Sequence, residues 1–225
     1  MLNPSYAQIR ARIDKAAQAA GHAVRLLAVS KKQAAAAIRE LAAQGQLAFG
    51  ENHVQEAVAK QRELADRGLE WHLIGPLQSN KCREAALHFD WLQSLDREKL
   101  LEPLNRFRPA DAVPLNVLIQ VNVDAEASKS GCVPEDVPVL ARTIAQFPRL
   151  RLRGLMAIPE PHHDPERRRA AFARMRELFV ALRADHPDID TLSMGMSEDF
   201  ELAIAEGATL VRIGTALFGA RPRPR

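Results

Sequence analysis

Short apolar runs alternate along the chain with longer stretches whose apolar positions recur at helical spacing. The runs RLLAVS (25–30), LAFGE (47–51), EWHLIG (70–75), WLQSL (91–95), NVLIQVNV (116–123), LRGLMAI (152–158), TLSMG (191–195) and TLVRIGT (209–215) have the length and the apolar or β-branched content of buried strands. Between them QAAAAIRELAAQG, VQEAVAKQRELADRG, VPVLARTIAQF and ERRRAAFARMRELFVALRADH show the three-and-four periodicity of amphipathic helices. Glycine or a polar residue closes most of these stretches, as helix C-termini prefer. The leading segment, MLNPSYAQIRARIDKAAQAAG, reads as a further helix, with Asn3 as cap, Pro4 in the first turn and Ile9 and Ile13 on one face.

Strict alternation of strand and helix implies parallel strands joined by right-handed crossovers. Eight such units predict an α/β fold, a single (β/α)8 TIM barrel with an added N-terminal helix. A barrel of this kind takes about 250 residues and can be built from ~200; the chain has 225. An open doubly wound sheet competes, but it usually carries a glycine-rich turn after its first strand, and KKQAAA follows Ser30 here. The units account for a single domain over residues 1–221 and leave a basic tail at 222–225, expected to be disordered.

Composition narrows the function classes. The chain is 47% hydrophobic and 26% charged with a mean hydropathy of −0.22, ordinary for a globular protein. No run reaches the ~18–20 apolar residues of a membrane helix, and the N-terminus lacks the apolar core of a secretory signal. A cytoplasmic location follows by default. Cys82 and Cys132 have no metal-type spacing and are expected to be free thiols in a reducing compartment. The net charge of +3 and pI near 9.1 hint at nucleic acid, but Arg221, Arg223 and Arg225 of the terminal RPRPR account for the whole excess of 31 basic over 28 acidic residues. The body is neutral on average, so no phosphate-tracking face is implied.

In a TIM barrel the chemistry sits at the C-terminal strand ends. The first strand ends in Ser30-Lys31-Lys32. Side chains alternate along a strand, so Lys31 shares a face with Leu27 and Val29, and the bulky pair marks that face as the interior. An inward lysine loses hydration and its pKa falls from ~10.4. The neutral amine can then form a Schiff base with an aldehyde. The bland alternative, that both lysines are solvated loop charges, carries equal weight on position alone.

The last two strands shift that balance. Phosphate sites in these barrels frequently form from the loops after strands seven and eight. GMS (195–197) and IGT (213–215) offer hydroxyls, small residues and amides at helix starts, which suits an anion. Glu198 and Asp199 cut the other way and must point away from a bound dianion.

With those features in place, the chain resembles the YggS/PROSC family, the pyridoxal phosphate homeostasis proteins. LLAVSK, FGENHVQE, EWHLIGPLQSNK, NVLIQVN, SKSG, RLRGLMAIP, TLSMGMSED and VRIGTALFGAR look like its signature segments, over nearly residues 5 to 221. The resemblance implies an alanine racemase-type barrel with pyridoxal 5′-phosphate on Lys31. It implies Asn52 and Met156 beside the cofactor, Ser197, Gly214 and Thr215 around the phosphate, Arg212 facing the pyridine nitrogen, and Lys129 near the site entrance. Two departures from the family pattern stand out: Lys32-Gln33-Ala34 where Thr-Lys-Pro is common, and His53 where tyrosine is common. Lys32 thereby becomes a competing attachment point.

An acidic partner on the pyridine nitrogen makes the ring a strong electron sink; an always-charged guanidinium cannot accept that proton. Racemisation also needs an acid or base on the face opposite the lysine, and the sole tyrosine is Tyr6, ahead of the barrel. His53, His72 and Cys132 are candidate bases with no motif behind them. The expectation is therefore no catalytic residue, and a monomeric carrier that buffers pyridoxal phosphate and hands it to apo-enzymes. An amino-acid racemase is the first alternative and a Schiff-base aldolase acting on a sugar phosphate the second.

Other features draw blander readings. His162-His163-Asp164 lacks the spacing of a helical metal site and reads as a solvated loop, so no metal is expected. Trp71 and His72 read as packing residues. GPLQSN (75–80) reads as a turn entering a helix, capped by Ser79 or Asn80, and Arg167-Arg168-Arg169 as a solvated helix face.

Overall fold

The computed structural model describes residues 4–124, 130–160, 162 and 164–219. Helix α1 (Pro4–Ala20) precedes eight strands, β1 (Arg25–Val29), β2 (Ala48–Glu51), β3 (Glu70–Leu73), β4 (Trp91–Leu95), β5 (Leu115–Val121), β6 (Leu150–Ala157), β7 (Thr191–Ser193) and β8 (Leu210–Ile213). Each is followed in turn by a helix: α2 (Ala35–Ala42), α3 (Val54–Glu63), α4 (Cys82–His88), α5 (Leu101–Phe107), α6 (Val137–Ile144), α7 (Pro165–Asp185), α8 (Phe200–Ala205) and α9 (Thr215–Phe218). The strands pair in sequence order and close into a barrel, β1 lying parallel to β8 with Arg25 opposite Leu210 and Ala28 opposite Ile213.

All eight expected strands form. Several stop short of their apolar runs: the ladder ends at Leu73 and Ser193, yet Ile74 and Met194 stay buried beyond it. Each still bonds the next strand through its amide, Ile74 to the Glu51 carbonyl at 2.9 Å and Met194 to that of Leu210 at 3.1 Å, and packs in the core, Ile74 inside the barrel and Met194 in the outer layer. Helices α4, α5, α8 and α9 are seven residues or fewer, too short to show a periodicity.

Alternation along the strands divides the core. One set of side chains, including Leu26, Phe49, Trp71, Leu92, Ile119, Leu155 and Val211, packs outward with the helices in one large apolar layer. The other set points inward and forms two small clusters, Leu27, Ala48, Ile74 and Leu210 with Val29, and Trp91, Leu118 and Met156. The interior is otherwise polar: His72, Gln93, Gln120, Ser193 and Arg212 are all buried there.

Two details correct the sequence reading. Residues Ser79–Lys81 form a 3-10 turn, and neither its start nor that of α4 has a side-chain cap, because Ser79 and Asn80 are turned out to solvent. Among the described residues the helix start that carries a side-chain cap is that of α7, where Asp164 accepts from the Glu166 amide at 2.9 Å. The expected Asn3 cap and the 222–225 tail lie outside the described residues.

Candidate functional site

The C-terminal ends of the strands open onto a cavity of about 360 Å³, within the ~300–1,000 Å³ of small-ligand and cofactor sites. Of the seven residues singled out from the sequence, Lys31, Asn52, Ser197, Arg212, Gly214 and Thr215 line it. Met156 does not. It is fully buried with Trp91 and Leu118 inside the barrel, level in register with Gln120 and Ser193.

Lys31 reaches the cavity because the alternation of β1 carries past the strand end: Leu27 and Val29 face the interior, and Val29 and Lys31 line the cavity together. Lys32 is separated from it by a backbone reversal. Its φ of +62° lies in the left-handed region that non-glycine residues seldom adopt, its side chain is exposed, and its amide donates to Glu56 Oε1 at 2.5 Å. A buried polar cluster fixes this turn from below. Ser30 Oγ donates to Glu51 Oε1 at 2.6 Å, and Lys60 Nζ bridges Glu51 at 2.7 Å, the Ser30 carbonyl at 2.8 Å and Glu56 at 2.7 Å. Burial pushes the Glu51 carboxyl above its usual range, against the pull of Lys60 and Ser30.

Asn52 is set by a close approach of two loops. A Cβ on Gly75 would lie 2.2 Å from the Asn52 carbonyl oxygen, so only glycine lets the loop after β3 press against the loop after β2. On the far side of the cavity, Gly195 turns at φ +91° to bring Ser197 to the lining. The neighbouring acids stay off it: Glu198 is exposed, and Asp199 Oδ1 accepts from the Met196 amide at 2.7 Å. Thr215 supplies a second hydroxyl at the first turn of α9, with Gly214 beside it.

Arg212 enters from β8 and is 3% exposed. Its Nη1 donates to Ser193 Oγ and its Nη2 to the Ala157 carbonyl, both at 2.7 Å. Burial brings the guanidinium down to about 10, still charged at neutral pH. Among the described lining residues the charged ones are Lys31 and Arg212, both cationic, so the cavity favours an anion.

Gln120 and Ser130 also line the cavity, tied by a bond from Gln120 Nε2 to the Ser130 carbonyl at 3.1 Å. Gln120 escapes the sequence reading; the available signal was a lone glutamine inside the apolar run VLIQV. The candidate bases lie elsewhere. His53 is exposed ahead of α3, His72 is sealed inside the barrel, and burial pushes the Cys132 thiol up to about 12. Tyr6 is partly buried in α1. Lys129 and His163 lie outside the described residues, and His162 bonds the Asp164 amide and Arg167. Among the described residues no cluster suits a metal ion, and no helix is long and apolar enough to cross a membrane.

The profile of the alanine racemase N-terminal domain family matches residues 5–222. The pyridoxal phosphate homeostasis protein of Pseudomonas aeruginosa is 60% identical over 218 residues, covering 96% of this chain and 94% of its own. That of Escherichia coli K12 is 52% identical over 221 residues with the same coverage. Among solved structures, PipY of Synechococcus elongatus with pyridoxal phosphate bound superposes with a TM-score of 0.85 at 40% identity, over 97% of this chain and all of that one. Alanine racemase of Corynebacterium glutamicum shares the fold at 20% identity and a TM-score of 0.67, over 94% of this chain and 60% of its own.

Proposed function

The chain belongs to the alanine racemase N-terminal domain family, and from that premise we propose that it is a pyridoxal 5′-phosphate homeostasis protein. It binds the cofactor in the cavity at the barrel mouth, holds it as a Schiff base on Lys31, and releases it to apo-enzymes. The observation that carries this reading is the lining itself: one amine, one guanidinium and three hydroxyls, with the described acidic side chains kept off it.

Pyridoxal phosphate brings an aldehyde, a pyridine nitrogen and a phosphate dianion, and the lining offers a counterpart for each. Lys31 Nζ is the amine that condenses with the aldehyde and releases water. Arg212 faces the ring nitrogen and leaves it unprotonated, since a guanidinium has no acceptor site. Ser197 and Thr215, with Gly214 between the strand and α9, hold the phosphate. Asn52 flanks the ring from the loop after β2, and Met156 supports the site from inside the barrel. A carrier role fits the placement of Tyr6, His53 and His72, none of which lines the cavity. The same reading takes the protein to be a monomer in the cytoplasm.

The test is an absorbance spectrum of the protein with pyridoxal phosphate, then borohydride reduction and peptide mapping. A yellow complex with the label on Lys31 is expected; no complex, or label scattered over surface lysines including Lys32, overturns the reading. Turnover of an amino acid by the loaded protein would move it to the racemase alternative, and cleavage of a sugar phosphate to the aldolase. Light scattering at twice the mass of one chain would refute the monomer.

A further inference from the structure

Behind Arg212 a file of buried polar side chains crosses the barrel from β8 to β3. Ser193 Oγ lies 2.7 Å from Arg212 Nη1 and 2.7 Å from Gln93 Oε1; Gln93 Nε2 lies 2.9 Å from His72 Nδ1; His72 Nε2 lies 2.7 Å from Glu70 Oε1. Glu70 is then paired with Arg25 of β1. Ser193, Gln93 and His72 are each essentially sealed from solvent.

The proton positions follow from one end. A guanidinium can only donate, so Ser193 Oγ accepts from Arg212 and its single hydrogen goes to Gln93 Oε1. The amide nitrogen of Gln93 must then donate to His72 Nδ1, which is therefore bare. The imidazole carries its hydrogen on Nε2 and donates it to Glu70. Every bond in the file points the same way, from the cation at the cavity to the carboxylate at the opposite end.

We infer that Ser193, Gln93 and His72 are positioning residues for Arg212: a one-directional hydrogen-bond file that aims the guanidinium into the cavity and locks His72 as the neutral Nε2–H tautomer. No described carboxylate bonds to Arg212: its hydrogen bonds go to two neutral oxygens, Ser193 Oγ and the Ala157 carbonyl, Asp199 acts on it only through its charge, and it stays available to a ligand. A proton on His72 Nδ1 would demand that Gln93 flip, which would set its NH2 against Ser193 and strand the serine hydrogen. The groups facing His72 are Glu70 on its own strand, Arg25 from β1 and Asp90 ahead of β4, with Trp91 stacked on the ring at 5.1 Å.

The role toward the pyridine nitrogen rests on the proposed function; the tautomer does not. Nitrogen-15 NMR of the ligand-free protein should therefore show His72 with a bare Nδ1 and a protonated Nε2 throughout about pH 6 to 8, the range where an unperturbed histidine titrates. A protonated Nδ1, or titration in that range, overturns the file. Ser193→Ala leaves Arg212 Nη1 and Gln93 Oε1 without partners and should weaken pyridoxal phosphate binding by about tenfold or more. It should also shift the absorption band of the bound cofactor, and Ser193→Thr, which keeps the hydroxyl, should restore both. Wild-type affinity and band position in Ser193→Ala overturn the positioning role. Failure of the wild-type protein to bind the cofactor would instead sink the proposed function and leave the tautomer result standing.

Discussion

The two faces of the barrel sheet come from the same strands and do opposite things. The outward residues form one continuous apolar layer against the helices; the inward residues are two small apolar clusters interrupted by a polar file that leads to the cavity. Neighbours such as Phe49 and Gly50, or Leu92 and Gln93, thus belong to different tasks. Burial of large apolar surface stabilises the fold, whereas satisfied polar groups in a low-dielectric interior fix orientation at little net gain in stability. Stability should therefore answer mainly to the outer face and ligand binding mainly to the inner one.

Two substitutions press hardest on that division. Phe49→Ala removes a fully buried ring packed 6.1 Å from Trp71 and should cost about 3–5 kcal/mol in urea unfolding, with the borohydride label still directed to Lys31 in the folded fraction. Lys31→Ala is the converse: all reducible attachment at that site is lost while stability moves by no more than about 0.5 kcal/mol. A large stability loss in Lys31→Ala would mean the mouth lysine also holds the fold, and the division would fail there. Gly75→Ala tests the rim, where both faces meet. Its Cβ would collide with the Asn52 carbonyl, so it should cost about 1–3 kcal/mol and also weaken cofactor binding by displacing Asn52, measured by equilibrium titration.

The outer face was legible in the sequence because parallel strands covered on both sides read as near-continuous apolar runs. The strand ends were not, since Ile74 and Met194 continue the apolar pattern after the ladder has stopped. Lys31 could be told from Lys32 by alternation with Leu27 and Val29, but nothing in KK announces the left-handed backbone at Lys32, a conformation glycine or asparagine normally signals. The polar file was invisible for a different reason. Glu70, His72, Gln93, Ser193 and Arg212 stand on β3, β4, β7 and β8, and only barrel closure brings a serine to a glutamine a hundred positions away. His72 accordingly read as a packing residue. That is correct as to burial, and it missed the hydrogen bonds.

The smallest effect expected is the most specific to the inner face, the loss of stability in mild acid. Burial holds the His72 imidazole below its usual 6.5, opposed by Glu70. In the unfolded chain the same imidazole takes up a proton near 6.5, so as pH falls through that value the unfolded state gains a proton the folded state does not, and stability declines. Glu70 adds a second, lower limb. Burial pushes its carboxyl up, but the hydrogen bonds from His72 and Arg25 and the charge of Arg25 prevail and hold it below its ordinary 4.5. Its contribution is therefore complete above 4.5 and is lost as pH falls below that value. Urea midpoints measured against pH should fall gently below 6.5 and more steeply below 4.5. His72→Asn should abolish the upper limb, because no imidazole remains to titrate in either state. Should the upper limb survive in that variant, groups other than His72 would set the acid response, and the inner face would lose its claim to a proton-sensitive role.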